Sequence, residues 1–150
     1  MLSLDKLWME IAIAQAYGSN PAPNPRVGAI IVSDGALVGV GHHVKAGEPH
    51  AEVVAMRAAG PKSAGGTLYT TLEPCNHFGR TPPCVLAIIE SGIQRVVIGT
   101  LDPNKEVAGG GAEYLASKGL EVLIGVKQSE CLRVIEDWTK LLKKKKRGHV

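Results

Sequence analysis

With 150 residues, 45 % hydrophobic content and only 4 % aromatics, the chain has the size of one ordinary domain built around an aliphatic core. Its net charge of +3 owes much to one run, Lys143 to Arg147, which leaves the body near neutral and argues against a nucleic-acid groove spread across the fold. No apolar run reaches membrane-spanning length, Met1 to Lys6 lacks a signal peptide's opening, and three cysteines suit a reducing cytoplasm, the expected location, better than a disulfide scaffold.

Leu4, Leu7, Trp8, Ile11 and Ala14 recur at helical spacing and predict an amphipathic first helix, ended by Gly18-Ser19-Asn20-Pro21. Val27 to Ser33 is a short β-branched run, Asp34-Gly35 a hairpin turn, and Ala36 to His43 the returning strand. His50 to Ala59, rich in alanine and closed by Gly60-Pro61, predicts the next helix, and Thr67 to Leu72 the third strand. Pro82-Pro83 suits the start of a helix that runs on through Val85 to Ile89 and stops at Gly92. Arg95 to Thr100 and Glu121 to Val126 are the fourth and fifth strands, with a short helix from Ala112 to Lys118 between them. One last helix is expected to carry Leu132, Ile135, Trp138 and Leu142 on a single face. Helices alternating with strands three to five imply parallel crossovers, and the hairpin at one side makes the sheet mixed. The expected fold class is α/β, a three-layer α/β/α sandwich with a five-stranded mixed sheet. It forms a single domain over 1–150 with a basic tail at 143–150.

The chemistry is concentrated in two stretches: His50-Ala51-Glu52, and Thr71 to Cys84 with its cysteines at 75 and 84. One imidazole and two thiols can hold Zn²⁺ with three protein ligands and leave a fourth position for water, which distinguishes a catalytic site from a closed structural one. Glu52, two residues from His50, is near enough to move that water's proton without itself ligating the metal. His50 and Cys84 both fall at predicted helix starts, where unpaired N–H groups and the positive end of the helix dipole favour the thiolate. A cysteine taken alone is commonly a small core hydrophobe. Pro74 before Cys75, together with the upstream His-x-Glu, turns the balance towards metal ligation. Cys131, far from the cluster in sequence, keeps the core reading.

His50-Ala51-Glu52 followed by Pro74-Cys75 matches the first half of the zinc-deaminase pattern His-x-Glu … Pro-Cys-x-x-Cys. The second half departs, because eight residues rather than two separate Cys75 from Cys84. That longer run, Glu73-Pro74-Cys75-Asn76-His77-Phe78-Gly79-Arg80-Thr81-Pro82-Pro83-Cys84, resembles the deaminase domain of the bifunctional riboflavin-biosynthesis deaminase/reductase family. Asn24 to Val32, Ala46 to Val53 and Asp102-Pro103-Asn104 with Val107-Ala108-Gly109 resemble the same family, so the likeness covers about Asn24 to Gly111. The resemblance implies a cytidine-deaminase-like fold, Zn²⁺ held by His50, Cys75 and Cys84, and Glu52 as the catalytic proton carrier. It further implies substrate contacts from Asn24, His43, His77, Asp102 and Asn104, and from Arg80, whose guanidinium can grip a phosphate or a pyrimidine carbonyl bidentately. The reaction implied is hydrolytic deamination of the small-molecule intermediate 2,5-diamino-6-ribosylamino-4(3H)-pyrimidinone 5′-phosphate.

Two rivals are weighed. Deamination of another nucleotide or of a tRNA base shares the fold, but those relatives resemble the short Cys-x-x-Cys pattern. A non-enzymatic zinc module with a basic tail needs a fourth protein ligand and leaves Glu52 without a task. The usual Leu-Asn-x-x-Phe-like end of the family's deaminase domain is replaced here by Leu132 to Trp138. No Gly-x-Gly-x-x-Gly follows a strand, so no dinucleotide unit is expected within these residues and reduction falls to a separate reductase partner or to a domain outside this chain. The oligomeric state is left open between a homodimer and a higher homo-oligomer.

Overall fold

A computed structural model describes residues 3–18, 20–77, 82–104 and 109–147, with side chains to 145. Helix α1 (Leu4–Ala16) leads into the hairpin β1 (Gly28–Ser33) and β2 (Ala36–His42). Then come α2 (Ala51–Ala59), β3 (Thr67–Leu72), α3 (Cys84–Glu90), β4 (Arg95–Thr100), α4 (Gly111–Ser117), β5 (Glu121–Ile124), α5 (Gln128–Val134) and α6 (Glu136–Arg147). The sheet order is β2-β1-β3-β4-β5. β1 runs antiparallel to both β2 and β3, whereas β3, β4 and β5 are parallel, as the sequence predicts. The hairpin closes at Asp34 and Gly35, both at positive φ (51° and 75°), the twist that a tight two-residue turn requires.

Alternation along β1 sends Ala29 and Ile31 to one face and Ile30 and Val32 to the other. On the first face α2, α3 and α4 pack; on the second lie α1 and α5, giving the three layers. β1, β3 and β4 are buried almost throughout, the pattern of central strands covered on both sides. β5 departs from that expectation. It is an edge strand with Leu123 and Ile124 exposed.

Two helical expectations are corrected. The buried side of α1 is Met9, Ala12 and Ala16, while Leu4 and Leu7 are exposed. The reason is close approach: a Cβ on Gly28 would stand 1.9 Å from the carbonyl oxygen of Ala12, so only small residues fit where α1 crosses β1. The final helix is two helices, broken at Ile135 (φ −104°, ψ 12°), and Leu132 lies outside the buried face formed by Cys131, Val134 and Ile135. Cys131 is a core thiol, fully buried, its Sγ occupying the space that a side chain on Gly99 would need. Burial pushes its pKa up to about 12.

A polar clamp fixes α1 to the sheet. Asp5 receives two hydrogen bonds of 2.8 Å from the Arg95 guanidinium at the start of β4 and one of 2.6 Å from the Tyr69 hydroxyl. Glu121 adds a 3.4 Å ion pair to Arg95 from β5. No helix among the described residues is long and apolar enough to cross a membrane.

Candidate active site

The site lies where β3 and β4 end, the place where parallel strands of an open sheet deliver their loops. His50 is the N-cap of α2, with an extended backbone (φ −69°, ψ 162°). Cys75 lies three residues beyond β3, and Cys84 is the first residue of α3 with Pro83 as its cap. His50 Nδ1 stands 3.1 Å from Cys84 Sγ and 3.8 Å from Cys75 Sγ, and the Cys84 amide donates to Cys75 Sγ at 3.2 Å. All three donor atoms lie within 4.8 Å of one another, and no fourth His, Cys, Asp or Glu joins them among the described residues.

That donor set fits zinc. A tetrahedral ion with Zn–S near 2.3 Å and Zn–N near 2.0–2.1 Å places its donors about 3.5–3.8 Å apart, a span that the observed separations straddle. Its electrostatics point the same way. The Cys75 thiol is held well below the ordinary range, first by the hydrogen bond from the Cys84 thiol and then by that with His50. Cys84 is pushed upward by the same contact and by burial, and His50 is raised chiefly by its hydrogen bond with Cys75. Three groups sharing protons around a sulfur anion are poised to exchange those protons for a dication.

A cavity of about 300 Å³ opens on this cluster. His50, Glu52 and Cys75 line its floor. Asn24, His43, His77, Asp102 and Asn104 line it too, beside Glu73, so these sequence-selected residues share one space. Arg80 lies outside the described residues. Glu52, in the first turn of α2, is 3 % exposed, and burial raises its pKa while the nearby His50 opposes the rise. Gly41 sets the height of this helix over the sheet: a Cβ there would meet the Ala51 carbonyl oxygen at 2.5 Å and the Ala55 nitrogen at 2.6 Å.

The polar wall is internally ordered. His43 Nδ1 meets the Pro49 carbonyl at 3.2 Å and its Nε2 meets Asn24 Nδ2 at 2.9 Å. A carbonyl only accepts and an amide nitrogen only donates, so His43 is the neutral Nδ1–H tautomer. Burial, which lowers its pKa, agrees. Asp102 closes a turn by accepting from the Asn104 amide at 2.8 Å, and burial raises its pKa. The Nδ1 of His77 is buried and has no hydrogen-bond partner among the described residues.

Three further residues escape the sequence reading. Glu73, 6 % exposed, accepts from the Asp102 amide through Oε1 and from the Ala112 amide through Oε2, both at 3.0 Å. It thereby ties the ends of β3 and β4 to the start of α4. Its sequence signal is the position before Pro74 inside the cysteine motif, but its partners lie 29 and 39 residues away. Trp138 and Leu142 of α6 complete the cavity lining, at the helical spacing that the sequence alone ascribes to core.

Residues 2–100 match the family model of the cytidine and deoxycytidylate deaminase zinc-binding region. The riboflavin biosynthesis protein RibD of Aquifex aeolicus is 53 % identical over 137 residues, covering 90 % of this chain and 38 % of that protein. The diaminohydroxyphosphoribosylamino-pyrimidine deaminase of Buchnera aphidicola subsp. Schizaphis graminum is 55 % identical over 109 residues, 73 % of this chain and 74 % of its own length. Among solved structures, a diaminohydroxyphosphoribosylaminopyrimidine deaminase/5-amino-6-(5-phosphoribosylamino)uracil reductase of Thermotoga maritima superposes with a TM-score of 0.88 at 43 % identity. That match covers 95 % of this chain and 42 % of that one. The chain thus spans well under half of the two-activity protein.

Proposed function

This chain belongs to the cytidine and deoxycytidylate deaminase family of zinc-binding proteins, and from that premise we propose that it deaminates a phosphorylated ribosylaminopyrimidine hydrolytically. The substrate proposed is 2,5-diamino-6-ribosylamino-4(3H)-pyrimidinone 5′-phosphate, in riboflavin biosynthesis. The names of the Aquifex and Buchnera relatives support this choice, as does the eight-residue spacing of the cysteines. The observation that carries the reading is Glu52, a buried carboxyl in the same cavity as the metal-ligating cluster. A structural zinc module has no use for it.

His50, Cys75 and Cys84 would hold the zinc, which when bound supplies a Lewis acid able to bring the pKa of water to about 7. Glu52 accepts a proton from the attacking water and passes it to the ring nitrogen beside the carbon that bears the 2-amino group. The remaining water proton goes to the amino nitrogen, again through Glu52, so that nitrogen departs as ammonia and the water oxygen stays as a carbonyl. Burial suits this traffic, because a raised pKa lets the carboxyl hold the proton between the two deliveries. Asn24, His77, Asp102 and Asn104 orient the ring and ribose, and His43 holds Asn24 in place. The family position of Arg80 assigns it to the phosphate or a ring carbonyl. The 150 residues act as one deaminase unit, and reduction of the ribosyl group belongs to a separate catalytic unit.

The test is ammonia release from the pathway intermediate, set against cytidine, dCMP and tRNA, with NADPH absorbance followed in parallel. Ammonia from the ribotide alone, with no NADPH oxidation, is expected. Release from cytidine, dCMP or tRNA in its place would sink the substrate assignment, and none from any would sink the activity.

A further inference from the structure

Trp138 stands apart from the rest of the cavity in chemistry. Apart from histidine rings, it supplies the cavity's single aromatic surface among the described residues. The remaining apolar lining is aliphatic: Pro25, Val27, Leu72 and, one helical turn beyond Trp138, Leu142. The indole is half-buried and packs against the main core, so it is held rather than free to swing. It also lines a small adjoining recess against Asn24 and Pro25, next to the polar pair Asn24–His43. The family match ends at residue 100, and the metal-ligating and proton-transfer residues all lie within it; Trp138 and Leu142, on α6, lie beyond it, as do Asp102 and Asn104. The common chemistry and this wall of the pocket therefore come from different parts of the chain.

An aromatic face beside a cavity otherwise lined by polar groups and small aliphatics is what a planar heterocycle needs for offset stacking. We propose that Trp138 is a specificity-determining residue of the deaminase pocket, its indole forming the surface on which the aminopyrimidine ring of the substrate lies. This inference rests on the deaminase reading above. Stacking is tolerant of ring substituents, so Trp138 selects for a planar ring. The polar wall of Asn24, Asp102 and Asn104 then chooses among rings by hydrogen bonding.

The protein has two tryptophans, and Trp8 lies on α1, on the other side of the sheet from the metal ligands. Holoprotein carrying Trp8→Phe and Glu52→Gln therefore reports on Trp138 alone and turns its ligand over about 10²-fold more slowly, so a brief titration is complete before the ligand is consumed. Titration with the diaminopyrimidinone ribotide is expected to quench its fluorescence saturably, at the same midpoint as binding followed by calorimetry. Calorimetric binding without quenching would overturn the proposal. In the Glu52-intact protein, Trp138→Ala should raise KM about tenfold or more, with zinc content kept and kcat within about threefold. Trp138→Phe should recover most of that loss. If kcat falls while KM stays put, or if Trp138→Leu serves as well as Trp138→Phe, the indole is packing and not a ring platform. Should Trp138→Ala fail to fold, the fluorescence titration and the Phe–Leu comparison still decide. Absence of ammonia release from the wild type would remove the functional reading and this proposal with it. Ammonia release with an unquenched Trp138 would remove this proposal alone.

Discussion

In the proposed reaction Glu52 is the proton carrier, and its isosteric amide isolates that role. Glu52→Gln keeps the shape of the first turn of α2 but removes proton acceptance, so turnover should drop by about 10²-fold or more while zinc is retained. Steady-state ammonia release with metal analysis measures both, and full activity at full zinc occupancy would point to another proton carrier. Asn24 and His43 make a second case. Because the two are hydrogen-bonded at 2.9 Å, they should behave as one unit. Asn24→Ala and His43→Ala are expected to raise KM, and the double mutant to cost less than the sum by about 0.5–2 kcal/mol. Strict additivity in that cycle would mean that each touches substrate independently. The grouping of His50, Cys75 and Cys84 and the place of Glu52 in the same cavity were readable in the sequence because local motifs fix them. His43 was readable as a pocket residue, but its present role depends on the Pro49 carbonyl and Asn24, a geometry that appears only after folding. Glu73 and Trp138 were not readable as site residues. The first acts through distant backbone amides, and the second has the spacing of an ordinary core position.

At the level of elements, α2 carries His50 and Glu52 together, so its height over β2 sets the distance of both from Cys75 and Cys84. That height depends on the bare backbone of Gly41. Gly41→Ala should lower the unfolding midpoint and reduce zinc occupancy, since the new methyl meets backbone atoms of α2 at 2.5 and 2.6 Å and the helix must move as a body. Differential scanning calorimetry and elemental analysis would register the two losses, and normal values of both would show that α2 is not seated on Gly41. The strands were legible because their β-branched runs and turn residues agree with the sheet. The face of α1 was not, because its contact surface is made of alanines over a glycine and its larger leucines look outward. The break at Ile135 was hidden too. No Gly or Pro marks it, and the apolar spacing runs straight through.

Across the molecule, the Asp5 clamp at the start of β4 makes stability depend on acid. Hydrogen bonds from Arg95 hold the Asp5 pKa below its ordinary value, so the contribution is whole above about pH 4 and is lost as pH falls through the lower, folded-state value. Asp5→Asn should cost about 1–2 kcal/mol at pH 7, allowing for the partial exposure of the pair, and less near pH 2. Urea unfolding of both proteins at the two pH values checks the sign; a gap that widens in acid would refute the clamp. β4 begins at Arg95, in the clamp, and ends at Thr100, two residues before Asp102 in the cavity. A strand of that length separates the two by roughly 17–20 Å, beyond the distance at which substitutions normally interfere with one another. Inheritance can therefore treat durability and reactivity as separate traits. A lineage moving to hotter or more acidic surroundings has one end of this strand on which to experiment, while the other end keeps its chemistry unaltered.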